Sequence, residues 1–97
     1  MKTIKEIKDI LSKHKRELGE KYKVKEIGIF GSYVREEPKE KSDIDILIDF
    51  AEAVDFFEFL ELEDYLCQIL DLKVDLVMKR ALKPNIGRRI LSEVVYV

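Results

Sequence analysis

The apolar positions of this chain change their period several times, and each change predicts an element. From about Thr3 to Tyr22, Ile4, Ile7, Leu11, Leu18 and Tyr22 recur at helical spacing, which predicts one amphipathic helix with Thr3 as its N-cap. Lys25 to Phe30 is a short, mostly apolar run that predicts a strand, Gly31 a turn, and Ser32 the start of a short helix. From Asp43 to Phe50 the period becomes two, so Ile44, Ile46, Ile48 and Phe50 should face a core while Asp43, Asp45, Leu47 and Asp49 share the opposite face. Asp55 is placed to cap a helix running to about Leu70, and Lys73 to Met78 predicts a further strand. Pro84 suits the first turn of a last helix ending near Ser92, and Val94 to Val97 can add an edge strand. With no repeat or linker in the sequence, the expected fold class is α/β, a mixed β-sheet covered by helices, with residues 1–97 as one domain.

Chemistry concentrates between residues 31 and 45. Gly31 permits close approach of a ligand to the backbone because no Cβ intervenes. Ser32 then brings a hydroxyl to the start of a helix, where free N–H groups and the dipole favour the outer phosphates of a nucleotide. Eleven residues beyond Ser32 comes Asp43-Ile44-Asp45. On a strand those two acids share a face with Cα atoms about 6.6 Å apart, so both carboxylates can reach one divalent ion or two adjacent ones. Oxygen ligands of this kind suit Mg²⁺. A solvated polar face would look the same in isolation. Asp75 is the only acid of its strand. If that strand lies beside the Asp43/Asp45 strand, Asp75 reaches the same site and can accept a proton from an attacking hydroxyl; otherwise it pairs with Lys73 or Lys79. Neither a Walker pattern nor Gly-x-Gly-x-x-Gly occurs.

The set Gly31-Ser32-x-x-Arg35, Ser42-Asp43-x-Asp45 and the later strand Asp75 resembles the polymerase β-like nucleotidyltransferase superfamily, and the short chain looks like its minimal nucleotidyltransferases (MNT). The likeness runs from about Ile4 to the end of the chain. It implies that Gly31 and Ser32, with Arg35 and Ser42, hold the nucleotide, and that Asp43, Asp45 and Asp75 bind two Mg²⁺ ions and form the catalytic triad. Many members carry Gly directly after the motif Arg, where this chain has Glu36, which bears on the conformation of the loop. The resemblance also implies a role: transfer of AMP from ATP onto a tyrosine of a HEPN-domain ribonuclease toxin, the chain being the antitoxin. The alternatives are an antitoxin that only masks its toxin, or transfer to a small molecule or an RNA end.

Composition limits what else the chain can be. Ninety-seven residues with 46% hydrophobic content bury only somewhat over ~60% of the unfolded surface, leaving little structure for a separate acceptor site. A partner protein is the expected supplier. The single cysteine, Cys67, excludes an intramolecular disulfide framework, and no signal peptide or long apolar run appears, so the cytoplasm is the expected location. The net charge is −2, yet nine Lys or Arg fall within the first 25 residues, whereas Asp49 to Leu72 holds eight acids and no basic residue. Basic residues near the N-terminus are interspersed with Glu6, Asp9, Glu17 and Glu20, a poor match to a nucleic-acid groove. The acidic helix is a solvated face or a docking surface for a basic partner. Its aromatic residues outnumber what one narrow face can bury, so they either cross the sheet edge or join an interface. Arg88 and Arg89 are expected to be solvated. His14 lies on the first stripe with no second His in the chain, which favours a hydrogen-bonded boundary residue over a metal ligand.

Overall fold

The computed structural model describes residues 2–37 and 43–97. Four strands, β1 (Val24–Phe30), β2 (Ile44–Phe50), β3 (Val74–Met78) and β4 (Val95–Tyr96), form one sheet in the order β3-β2-β1-β4. β1 runs antiparallel to β2 and β4, whereas β2 and β3 are parallel. Helix α3 (Phe56–Leu70) connects the parallel pair, and the sheet is therefore mixed.

Period two is obeyed in β2. Ile44, Ile46 and Ile48 are fully buried and Phe50 nearly so. Their neighbours across the sheet, Ile27 and Ile29 on β1 and Val74 and Leu76 on β3, are buried on the same face. This face meets helices α1 (Ile4–Lys13), α2 (Lys15–Tyr22) and α3 through Ile7, Leu11, Leu18, Leu62, Leu66 and Leu70. Fully burying each such side chain contributes about 1.5–3 kcal/mol, so these residues dominate the stability of the fold.

The N-terminal stripe forms two helices rather than one. His14 leaves helical geometry at φ −102, ψ 3, and its N–H turns to the Leu11 and Ser12 carbonyls. The His14 ring supplies a physical reason: Nδ1 lies 2.8 Å from the Ile10 carbonyl, which the His14 N–H would take in an unbroken α-helix. The ring and the main chain compete for one acceptor, and the helix restarts with Leu18 N–H bonding the His14 carbonyl at 2.9 Å. His14 is thus the expected hydrogen-bonded boundary residue. Thr3 caps α1 through a reciprocal pair with Glu6, and Asp55 caps α3 in the same way with Glu58.

The aromatic surplus of α3 divides. Tyr65 stacks against Tyr22 with centroids 4.7 Å apart, and Phe59 packs against the core. Phe56 and Phe57 are 68% and 72% exposed, and Leu60 is exposed beside them. Cys67 packs at the edge of the core. Helix α4 (Pro84–Glu93) starts with Pro84 and leads into β4, which pairs with β1. On α4, Arg88 and Arg89 are exposed, and Arg88 bonds only Asn85 at 3.0 Å among the described residues. No described helix is long and apolar enough to cross a membrane.

Candidate functional site

The sheet face opposite the core carries the chemistry. Strand register sets Phe30, Asp45 and Asp75 side by side across β1, β2 and β3, and pleating turns all three toward that face. Asp75 therefore meets Asp45 and not a lysine; Lys79 instead pairs with Glu26 at 3.2 Å. Leu47 is buried on this face too, opposite Gly28 of β1. A Cβ at Gly28 would come within 2.6 Å of the Val94 side chain, so the missing side chain lets the end of α4 and β4 lie close over the sheet. The remaining acid of the row, Asp49, faces Arg80 Nε at 3.2 Å, an ion pair without directed hydrogen-bond geometry. That pairing removes Asp49 from the acidic set.

At the end of β1 the chain enters a 3₁₀ turn, Gly31–Tyr33. Gly31 has φ +80, and a Cβ there would collide with the Asp45 carboxylate. Glycine is required twice over, by the backbone angle and by the acid packed against it. Buried Tyr33 anchors the turn in the core, and the Gly31 carbonyl accepts from Val34 and Arg35 N–H at 3.1 and 3.2 Å. Ser32 is half-buried at the start of this turn. Glu36 adopts φ 59, the left-handed conformation that a glycine takes without strain. The position directly after Arg35 thus keeps a glycine-like backbone with a glutamate side chain.

Asp45 is partly buried beside two other carboxylates. Burial, the adjacent Asp75 charge, a hydrogen bond with Asp75 and the Asp43 charge together push its carboxyl up to about 6, and Arg35 opposes them. Uncompensated carboxylates crowded in this way are the donor set that a divalent cation neutralises. Among the described residues no three such side chains form a ready-made cage; the acids approach pairwise, with Asp75 exposed and Asp43 and Asp45 half-buried. In donor chemistry the carboxylates of Asp43, Asp45 and Asp75 are the hard oxygen ligands that Mg²⁺ takes. Ser42 and the rest of the Pro38–Ser42 segment lie outside the described residues.

Arg35 reaches the turn but is already engaged. Its Nη1 lies 3.0 and 3.2 Å from the two carboxylate oxygens of Glu93, and Nε is 3.5 Å from Glu37. Gly31 N–H also donates to Glu93 at 3.2 Å. Nothing local in the sequence marks Glu93, which is 58 and 62 residues from these partners.

The nucleotidyltransferase domain family matches residues 11–97. The chain belongs to this family. Relatives of this nucleotidyltransferase include the protein adenylyltransferase MntA of Thermococcus cleftensis, 57% identical over 97 residues that cover 100% of this chain and 98% of the relative. The Methanocaldococcus jannaschii protein MJ0128 is 61% identical over 98 residues, covering all of both chains. A chain of a toxin–antitoxin crystal structure with AMP-PNP superposes with a TM-score of 0.74 at 28% identity, covering 91% of this chain and 69% of that one. A chain from a complex of tri-AMPylated Shewanella oneidensis HEPN toxin with MNT antitoxin gives 0.66 at 26% identity, covering 93% and 70%. The fold is that of the minimal nucleotidyltransferases, as the residue pattern implies.

Proposed function

We propose that this minimal nucleotidyltransferase transfers AMP from ATP to a tyrosine hydroxyl of a HEPN ribonuclease toxin in the cytoplasm, and that 1–97 acts as a single catalytic domain. The observation that carries the reading is the register of Asp45 opposite Asp75, directly beside a Gly31 turn that leaves no room for a side chain. The naming of MntA as a protein adenylyltransferase and the AMPylated HEPN toxin bound to an MNT antitoxin support protein as the acceptor.

In this reading the Ser32 hydroxyl and the N–H groups that follow Gly31 in the 3₁₀ turn bind the β- and γ-phosphates, because a helical start has donors without carbonyl partners, while Gly31 N–H itself stays with Glu93. Arg35 adds positive charge beside them, and Ser42 contributes from the preceding loop. Asp43, Asp45 and Asp75 would hold two Mg²⁺ ions, which supply electrostatic stabilisation of the attacking and departing oxygens. Asp75, the exposed member, accepts the proton of the incoming tyrosine hydroxyl. The phenolic oxygen then bonds to the α-phosphorus as the bond to the bridging oxygen breaks, and pyrophosphate leaves in line.

The acceptor arrives with a partner, which docks on the exposed face of α3. Phe57, Leu60, Glu61 and Asp64 recur there at helical spacing, all exposed, so an apolar patch adjoins acids that attract a basic surface. Incubation with α-labelled ATP, Mg²⁺ and the toxin tests the reading: label should appear on the toxin and vanish in excess EDTA. Label on RNA or a small molecule, with none on protein, would overturn it.

A further inference from the structure

The C-terminal helix ends in an acid that faces the phosphate turn. Glu93 is the last residue of α4, where the helix dipole is negative and no basic residue stands in the last turn, so a carboxylate there is locally unfavourable. Its compensation comes from the turn after β1, through Gly31 N–H at 3.2 Å and Arg35 Nη1 at 3.0 and 3.2 Å. The Glu93 side chain is 21% exposed, against 41% for Arg35, and partly buried charge-assisted bonds are the stronger kind.

The arrangement is set by strand pairing. Val95 opposes Ile29, Tyr96 opposes Gly28, and Val97 N–H bonds the Ile27 carbonyl at 2.9 Å. Continued one residue pair at a time, this antiparallel register brings Glu93 opposite Gly31. The same close approach that Gly28 permits toward Val94 holds it there. A carboxylate fixed by a β-ladder, and gripping both the turn and the guanidinium, restricts where Arg35 can point.

We infer that Glu93 is a positioning residue for the nucleotide phosphates: it holds the Gly31 turn and fixes Arg35 so that the guanidinium stands ready beside Ser32. The inference rests on the reading of this turn as the triphosphate site. Glu93 grips the guanidinium through Nη1 alone, while Nε stands 3.5 Å from the more exposed Glu37, and a long flexible side chain would otherwise have to be ordered when nucleotide binds. Arg35 and Glu93 therefore act as a unit.

Direct binding of AMP-PNP in the presence of Mg²⁺ tests this by calorimetry on the full chain. Glu93→Ala should weaken binding about tenfold or more, Arg35→Ala by a similar factor, and the double variant little beyond either single one, because both remove one unit. Glu93→Gln, which keeps the volume and an acceptor for Gly31 N–H, should recover part of the loss, and it carries the test if the alanine variant fails to fold. In transfer assays the loss should appear in KM for ATP more than in kcat. Tighter binding by Glu93→Ala or Glu93→Gln would overturn the inference, since Glu93 would then be a carboxylate that competes with phosphate. Additive losses in the double variant would also overturn it. A wild-type chain that binds no AMP-PNP would overturn the triphosphate site together with the inference, whereas normal wild-type binding unaffected by Glu93 would remove the inference alone.

Discussion

Asp45 and Asp75 are register partners on adjacent parallel strands. Burial, and after it the charge of Asp75 alongside, disfavours the ionised form and pushes Asp45 from 3.8 to about 6. Its folded pKa lies above the unfolded value, so folding binds a proton. The stability this group contributes is fully present below about 4 and is lost as the pH rises through about 6. In EDTA, Asp45→Asn should therefore raise the melting temperature at pH 7.5 and leave it nearly unchanged at pH 4. Added Mg²⁺ should stabilise the wild type at pH 7.5 far more than it stabilises the variant. Thermal melts at the two pH values check both signs.

Catalysis should depend on the same acids in the opposite direction. Asp43→Asn or Asp45→Asn should retain the circular dichroism of the wild type while lowering transfer by at least roughly 10²-fold, the scale of losing one strong electrostatic stabiliser. Labelled-ATP assays with and without excess EDTA measure it. Full activity of both variants would be incompatible with the metal-dependent reading.

Glu36 holds a left-handed conformation, φ 59, with an exposed side chain. Glu36→Gly relieves that strain at some cost in unfolded-state entropy, and the net gain should be about 0.5–1 kcal/mol, several degrees in melting temperature for a domain of this size. Differential scanning calorimetry reads it directly.

The α3 face can be tested without damaging the helix. Glu58 is unsuitable, because it completes the Asp55 capping box and pairs with Lys23 at 2.7 Å. Glu61→Lys with Asp64→Lys, or Phe57→Ala with Leu60→Ala, should instead leave stability nearly unchanged and weaken toxin association. The wild-type complex should weaken with added salt, since exposed charges are screened over about 8–10 Å. Titration of the toxin at low and high salt provides the measurement.

What could be read from the sequence follows the range of the interaction that fixes it. Asp45 lies on a strand whose alternation is local, and the Gly31 turn is written in three residues, so the face Asp45 takes was legible; Asp43 stands just before β2 rather than on it. Asp75 needed one further step, the pairing of β3 with β2, which the residue pattern of the family supplied. The break at His14 was hidden, because the apolar stripe of Ile7, Leu11 and Leu18 continues across it and only the ring's bond to the Ile10 carbonyl interrupts the helix. The grip of Glu93 on Arg35 depends on how α4 and β4 return to β1. The apolar run Val94 to Val97 marks an edge strand, but no local pattern tells that it pairs with β1 and so carries Glu93 to Arg35.

The intact mass of the toxin after incubation with this chain, ATP and Mg²⁺ tests transfer onto a protein most directly. Wild-type protein should add one or more adenylyl groups to tyrosine and abolish toxicity, while Asp75→Asn should still bind the toxin and leave both its mass and its toxicity unchanged. A toxin neutralised at unaltered mass, or neutralised equally well by Asp75→Asn, would contradict the account and make this chain a masking antitoxin.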